Sequence, residues 1–150
     1  MQRSLTNKKP LESILYIILY VLYESLSSIY LFLPPLFAVL FVLFVNAMKS
    51  EDTVSLFLIA FCLIIFEADR GYMLFSSIIY FTLIYKFLIP KITQNFSCLS
   101  CIRLSYVLFA YLGFFLFSTF LSSIFLIPTP SINYYIVFYI VIEFFLVSLL

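Results

Sequence analysis

The stretch Phe66-Glu67-Ala68-Asp69-Arg70-Gly71-Tyr72 sets two carboxylates and a guanidinium within four positions. Groups of these types can pair with each other, cap a backbone, relay a proton or hold a partner's charge. Their surroundings make them conspicuous: residues 53–66 carry no charge, and the next charge downstream is Lys86. An ionised group near the centre of a lipid bilayer costs about 2.5–3.5 kcal/mol on the insertion scale. The simplest reading is a solvated turn that ends one helix and starts another, with Gly71 suited to the tight turn. If the helix continues instead, Glu67 and Arg70 stand at i, i+3 and pair on one face. Asp69 then points elsewhere, toward a partner helix or the backbone amides that open the next helix.

Two further acids stand alone in apolar runs, Glu24 in the first and Glu143 in the last. Isolated acids of this kind face the bundle interior, where they make a structural hydrogen bond or mark a polar pathway. The structural role is preferred here. A proton pathway would want histidine or a second carboxylate on the same helix, and the chain has no histidine at all. Tyr16, Tyr20, Tyr23, Ser27 and Tyr30 recur at spacings of four and three, a stripe beside Glu24 that would suit a neighbouring helix. With 12 tyrosines in the chain, such a stripe also arises from abundance alone. Gly113, Ser118, Thr119, Ser122 and Ser123 form a small-residue face that lets helix backbones approach closely.

Cys98-Leu99-Ser100-Cys101 is a lone C-x-x-C. A structural zinc site needs four ligands, and neither histidine nor a second C-x-x-C is present. Two reduced thiols are the default, with zinc shared across a dimer as the alternative. Three cysteines imply no disulfide framework. No G-x-S-x-G, phosphate-binding glycine loop or histidine-bearing metal motif occurs, so the sequence argues against an enzyme and calls for no metal or cofactor. A net charge of +1 gives no basis for nucleic-acid binding.

The elements that must position these residues follow from composition. The chain is 65% hydrophobic and 10% charged, with a mean hydropathy of +1.21. Soluble domains carry about 25% charged residues, so this composition implies an integral membrane protein embedded in the lipid bilayer. The apolar residues come in continuous blocks rather than alternating, which predicts helices and not a barrel. Six spans are expected, over 13–33, 35–48, 53–68, 71–89, 104–127 and 132–150. The breaks are Pro34-Pro35, residues 49–52, the 67–71 cluster, residues 90–103 and the Pro-Thr-Pro of 128–130.

The second and third blocks are short, since fourteen residues rise only about 21 Å. They make either one re-entrant hairpin or two short spans. Charge favours the second. With a cytoplasmic N-terminus, six spans put Arg3, Lys8, Lys9, Lys49, Lys86, Lys91 and Arg103 inside and leave only Arg70 outside. Both termini are then cytoplasmic. The first block is too long, and too interrupted by Glu24, for a secretory signal, so a retained helix is expected. The 150 residues read as one all-α transmembrane domain, with no soluble domain and no internal repeat.

The segment from Pro34 to Lys86 resembles the MreD family of the bacterial cell-elongation machinery. The shared features are proline at the start of a short second span ("PPLFAVLF"), then a short third span ending in aspartate with glycine soon after ("FEADRGYMLFSSIIYFTLIY"). Asp69 would correspond to the family's aspartate, and Gly71 to one of its glycines. The family has glycine before that aspartate and again several residues after it, where this chain has Phe66, Glu67 and Phe75. The resemblance implies a helical fold like the substrate-binding subunits of energy-coupling-factor transporters. It implies a non-enzymatic scaffold in the inner membrane that binds the bitopic protein MreC, in a complex with RodA and its penicillin-binding transpeptidase. The Glu67–Gly71 turn and the Pro34-Pro35 joint would then face MreC. A vitamin- or small-molecule-binding transport subunit on the same plan is the alternative, and an ion-linked carrier through Glu24 and Glu143 is a third.

Overall fold

A computed structural model of the chain describes residues 8–129, 131 and 133–150. Arg3 and Pro130 lie outside the described residues. Those described are helical, with no strand among them. The helices are α1 (Lys8–Ile29), α2 (Phe37–Ser50), α3 (Thr53–Arg70), α4 (Ser76–Phe87), α5 (Ile89–Asn95), α6 (Leu99–Leu108), α7 (Phe114–Phe125) and α8 (Tyr135–Leu149). A π-helical turn, Phe109–Gly113, joins α6 to α7, so that Leu99–Phe125 runs as one helix.

α2 is the axis of the bundle. It packs against α3, α4, α6, the π-turn and α8. Its buried Phe37 stacks between rings from three other helices, with centroids 4.9 Å from Phe66, 5.0 Å from Phe81 and 4.8 Å from Phe114. Phe41 continues the column, 4.9 Å from Phe81. Such ring pairs add about 0.5–1.5 kcal/mol each beyond the area they bury. A helix this short is therefore enclosed by protein along most of its length.

The outer surfaces are apolar in turn. In α1, Ile14, Leu15, Ile18, Leu19, Leu22 and Leu26 are all about half exposed. Among the described residues, two helices are long and apolar enough to cross a membrane, Glu12–Ile29 and Leu99–Phe125. α3 matches the first in length but carries Glu67, Asp69 and Arg70 in its last turn. α2 and α8 are apolar but shorter, at 14 and 15 residues.

The joint expected over 90–103 is mostly helix. Pro90 falls in the first turn of α5, where its missing N–H removes no hydrogen bond. The break narrows to residues 96–98, and Cys101 lies in the first turn of α6 rather than in a loop. α3 begins at Thr53, where its apolar run does, but at two other joints the helices start later than the runs. α2 begins at Phe37, after Pro34-Pro35 and a left-handed Leu36, and α4 begins at Ser76, after a left-handed Phe75.

Of the small-residue face, Ser118 and Ser122 are buried, Thr119 is half-buried and Ser123 is exposed. Gly113 has a specific reason to lack a side chain. Tyr80 reaches across from α4 and donates its hydroxyl to the Phe109 carbonyl, 2.6 Å away, at the π-turn. A Cβ on Gly113 would lie 1.8 Å from that hydroxyl oxygen. Gly113→Ala is expected to destabilise the bundle by about 1–3 kcal/mol, because the buried Tyr80 must give up its partner to make room. Tyr80→Phe in the same chain should recover part of the loss, read from unfolding in detergent. A Gly113→Ala variant as stable as the parent would contradict this packing.

Candidate functional site

The predicted polar residues gather at one end of the bundle, where the α1–α2, α3–α4 and α7–α8 connections meet. Tyr23 donates to the Pro34 carbonyl at 2.8 Å, and Tyr139 donates to the Leu31 carbonyl, which ties α8 to the same joint.

Helices need partners for their first amides. α2 and α4 lack the usual capping side chain, since Leu36 and Phe75 occupy the N-cap positions. Both are left-handed, at φ 56° and φ 68°, a conformation that costs an ordinary residue roughly 1–2 kcal/mol. A left-handed residue leading into a right-handed one turns successive N–H groups toward one point and makes an anion nest. Each nest holds a buried glutamate from another helix, Glu143 from the far end of the chain and Glu67 from the helix just before.

Glu143 of α8, fully buried, fills the nest of α2. It accepts the N–H of Phe37 (3.2 Å), Ala38 (2.7 Å) and Val39 (3.2 Å), and Tyr111 donates its hydroxyl to the same carboxylate. Glu67, also fully buried, fills the nest of α4. It accepts the N–H of Phe75 at 2.6 Å, the Ser76 hydroxyl at 3.0 Å and the Ser77 N–H. The positive end of each helix dipole favours these carboxylates further.

Glu67 therefore binds the corner on both sides. Its own carbonyl takes the N–H of Gly71 and of Tyr72, closing α3, while its side chain opens α4. Gly71 has φ 71° with open space where a Cβ would stand, so its backbone conformation and not crowding is what favours glycine.

The expected pairing of Glu67 with Arg70 does not form, because the nest has claimed Glu67. Arg70 turns to α1, with its Nε 3.4 Å from Glu24 Oε1 and its Nη2 2.8 Å from the Ser27 hydroxyl. This is the ion pair found among the described residues. Glu24 is 1% exposed and Arg70 24%, so the pair sits at the edge of the protein interior. The role expected of Asp69, holding the amides of the fourth segment, belongs to Glu67. Asp69 is exposed, and so is Gly71.

The tyrosine stripe of α1 divides. Tyr23 and Ser27 face the joint, Ser27 donating to the Leu33 carbonyl at 3.0 Å, whereas Tyr16 and Tyr30 are exposed. Pro34 and Pro35 are buried. A cavity of about 140 Å³ opens between these parts. Phe37, Phe66, Tyr111 and Phe114 give it aromatic walls, and Arg70 and Asn133 supply polar edges. A second cavity of about 230 Å³ shares Arg70 and Tyr72 and adds Ser76, Ser118, Ser122 and Thr129.

Cys98 and Cys101 are exposed at the opposite end. A hydrogen bond from Cys101 holds the Cys98 thiol below its ordinary pKa. Among the described residues no group of three or more His, Cys, Asp or Glu side chains is placed to share a metal ion.

The sequence pointed to a structural hydrogen-bonding role for Glu24 and Glu143 but not to the groups they bind. Glu143 and the start of α2 lie more than a hundred residues apart, so their meeting is a tertiary event. A usable signal was present, however. The second apolar helix begins after "PPL" with no Ser, Thr, Asp or Asn to cap it, in a chain with solitary acids in its apolar runs, whereas Ser76-Ser77 after "MLF" hid the same need in the fourth.

Fold and site together define an all-helical bundle with two helices suited to crossing a membrane and two helix starts capped by buried carboxylates from other helices. No family model, curated protein or solved structure matches the chain.

Proposed function

We propose that the chain is a multi-pass, non-enzymatic scaffold of the bacterial inner membrane, serving the cell-elongation complex in the manner of MreD. In this reading all six helical segments cross, both termini are cytoplasmic, and the capped end faces outward. The short α2 is accommodated because protein, not lipid, surrounds it. The partner is an MreC-like bitopic protein, with RodA and its penicillin-binding transpeptidase nearby. The task is to maintain rod or helical shape by regulating peptidoglycan synthesis.

The observation that carries this reading is the fate of the ionisable groups. Glu24, Glu67 and Glu143 are occupied in holding helix starts and an ion pair. The acid left exposed at that corner is Asp69, in the last turn of α3, beside a corner that Glu67 ties on both sides. A rigid corner presenting one charge suits docking better than chemistry. Purification from native membranes in mild detergent, followed by mass spectrometry, should recover an MreC-like protein. Asp69→Asn should reduce that recovery while leaving stability unchanged. Recovery of an ATPase-containing transport module, or equal partner recovery by Asp69→Asn, would count against the scaffold.

A second reading rests on the cavity at Arg70. Its volume matches one small ring, and its aromatic walls with a guanidinium edge have the make-up of a ligand site. A small-molecule-binding transport subunit would use it, and a metabolite retained through purification would favour that reading.

A further inference from the structure

The end of the bundle opposite the acid-capped one carries Lys49, Lys86, Lys91 and Arg103. A groove of about 540 Å³ runs up from this end between α5 and the long α6–α7 helix. Its polarity is graded. Lys91 and Asn95, one turn apart on α5, and Ser105 of α6 line its mouth. Farther up, the lining is Leu88, Leu108, Leu112 and Leu116. Leu112 and Leu116 are 52% and 68% exposed, so the groove is open along its side. From Ser105 to Leu116 the helix rises about 16 Å, enough for most of an acyl chain.

A cationic mouth over an apolar trough of that length matches one class of molecule. We propose that this groove is a binding site for an anionic phospholipid, with the phosphate at Lys91 and Asn95 and one acyl chain along Leu108, Leu112 and Leu116. Charge complementarity selects the headgroup. Lys49 and Arg103 line a neighbouring cavity on the other side of the α5–α6 junction, so the positive field extends past the groove itself. The nearby acids, Glu51 and Asp52, lie on the α2–α3 turn and line neither cavity. Zwitterionic lipid would bring a cation of its own toward Lys91 and fit less well.

The inference rests on the membrane reading, and one experiment separates the two. The protein is extracted in mild detergent, offered phosphatidylglycerol and phosphatidylethanolamine with identical acyl chains, and weighed intact by native mass spectrometry. Phosphatidylglycerol should be retained in preference. Lys91→Gln should cut that preference about fivefold, the effect of one basic residue near an anionic surface. Leu112→Trp should fill the trough and reduce retention of both lipids. Lys86→Gln, an exposed lysine at the same end that does not line the groove, should change nothing. Equal retention of the two lipids, or an unaltered preference in Lys91→Gln, would overturn the site. A dimer that Leu112→Trp dissociates, with lipid retention unchanged, would also overturn it and make the groove an interface between copies. Recovery of the protein in the soluble fraction without detergent would overturn the membrane reading itself, and the lipid site with it.

Discussion

Glu143→Leu is expected to lower the stability of the purified protein by about 3 kcal/mol or more. Leucine matches the side chain in bulk but accepts no hydrogen bond. The N–H groups of Phe37, Ala38 and Val39 and the Tyr111 hydroxyl would lose their common acceptor at the start of the central helix. Each buried group left unpaired costs about 1–3 kcal/mol. Relaxation and water entry recover part of the total, which keeps the loss below the simple sum over the four groups. For a chain of this size the midpoint of thermal unfolding should fall by roughly 6–12 °C. Glu143→Gln should be milder. Its amide oxygen still accepts, but its NH₂ faces other donors. A Glu143→Leu protein that melts with the parent would mean α2 does not depend on this carboxylate.

Arg70→Met should be as damaging, and for a different reason. Glu24 is 1% exposed, and without Arg70 its charge is buried with no counter-ion. Breaking a buried pair from one side costs about 3–5 kcal/mol, whereas removing both partners is often close to neutral. The double variant Glu24→Gln/Arg70→Met should therefore be more stable than Arg70→Met alone. The non-additivity, measured in a double-mutant cycle, is the quantity that reports the contact. Arg70 is partly exposed, so water will screen the lone charge, and a result near the lower figure is expected. Strict additivity of the two substitutions would show that the pair contributes nothing.

These two results would test what was least legible in the sequence. The helical blocks were legible because their apolar runs are long and the punctuation is strong. Pro34-Pro35 lies inside the 30–36 connection, although α1 already stops at Ile29 and not at 33, and the 49–52 turn falls where α2 gives way to α3. The 90–103 segment was misjudged because Pro90 signals a break in mid-helix but is neutral in a first turn. The π-turn at Phe109–Gly113 left no trace in the pattern, and the hydroxyl that its Phe109 carbonyl accepts comes from Tyr80 on another helix. Glu67 and Arg70 were singled out by type and spacing, yet their partners could not be read from spacing. The i, i+3 rule describes an isolated helix, and here the start of α4 and a distant Glu24 offered better company. Charge near an apolar block reveals that a group must be satisfied. It does not reveal by whom.

In the proposed arrangement the helices form an up-and-down bundle in a membrane, with the glutamate-capped corner on one side and the basic end on the other. Labelling single cysteines in intact cells with a membrane-impermeant maleimide tests it most directly. Cys98 and Cys101 already mark the basic end. Asp69→Cys and Asn133→Cys, each in a Cys62→Ser/Cys98→Ser/Cys101→Ser background, would mark the other. Labelling of positions 69 and 133 from outside, with Cys98 and Cys101 reached only after permeabilisation, is the predicted result. Reaction of all four from the same side would contradict the account.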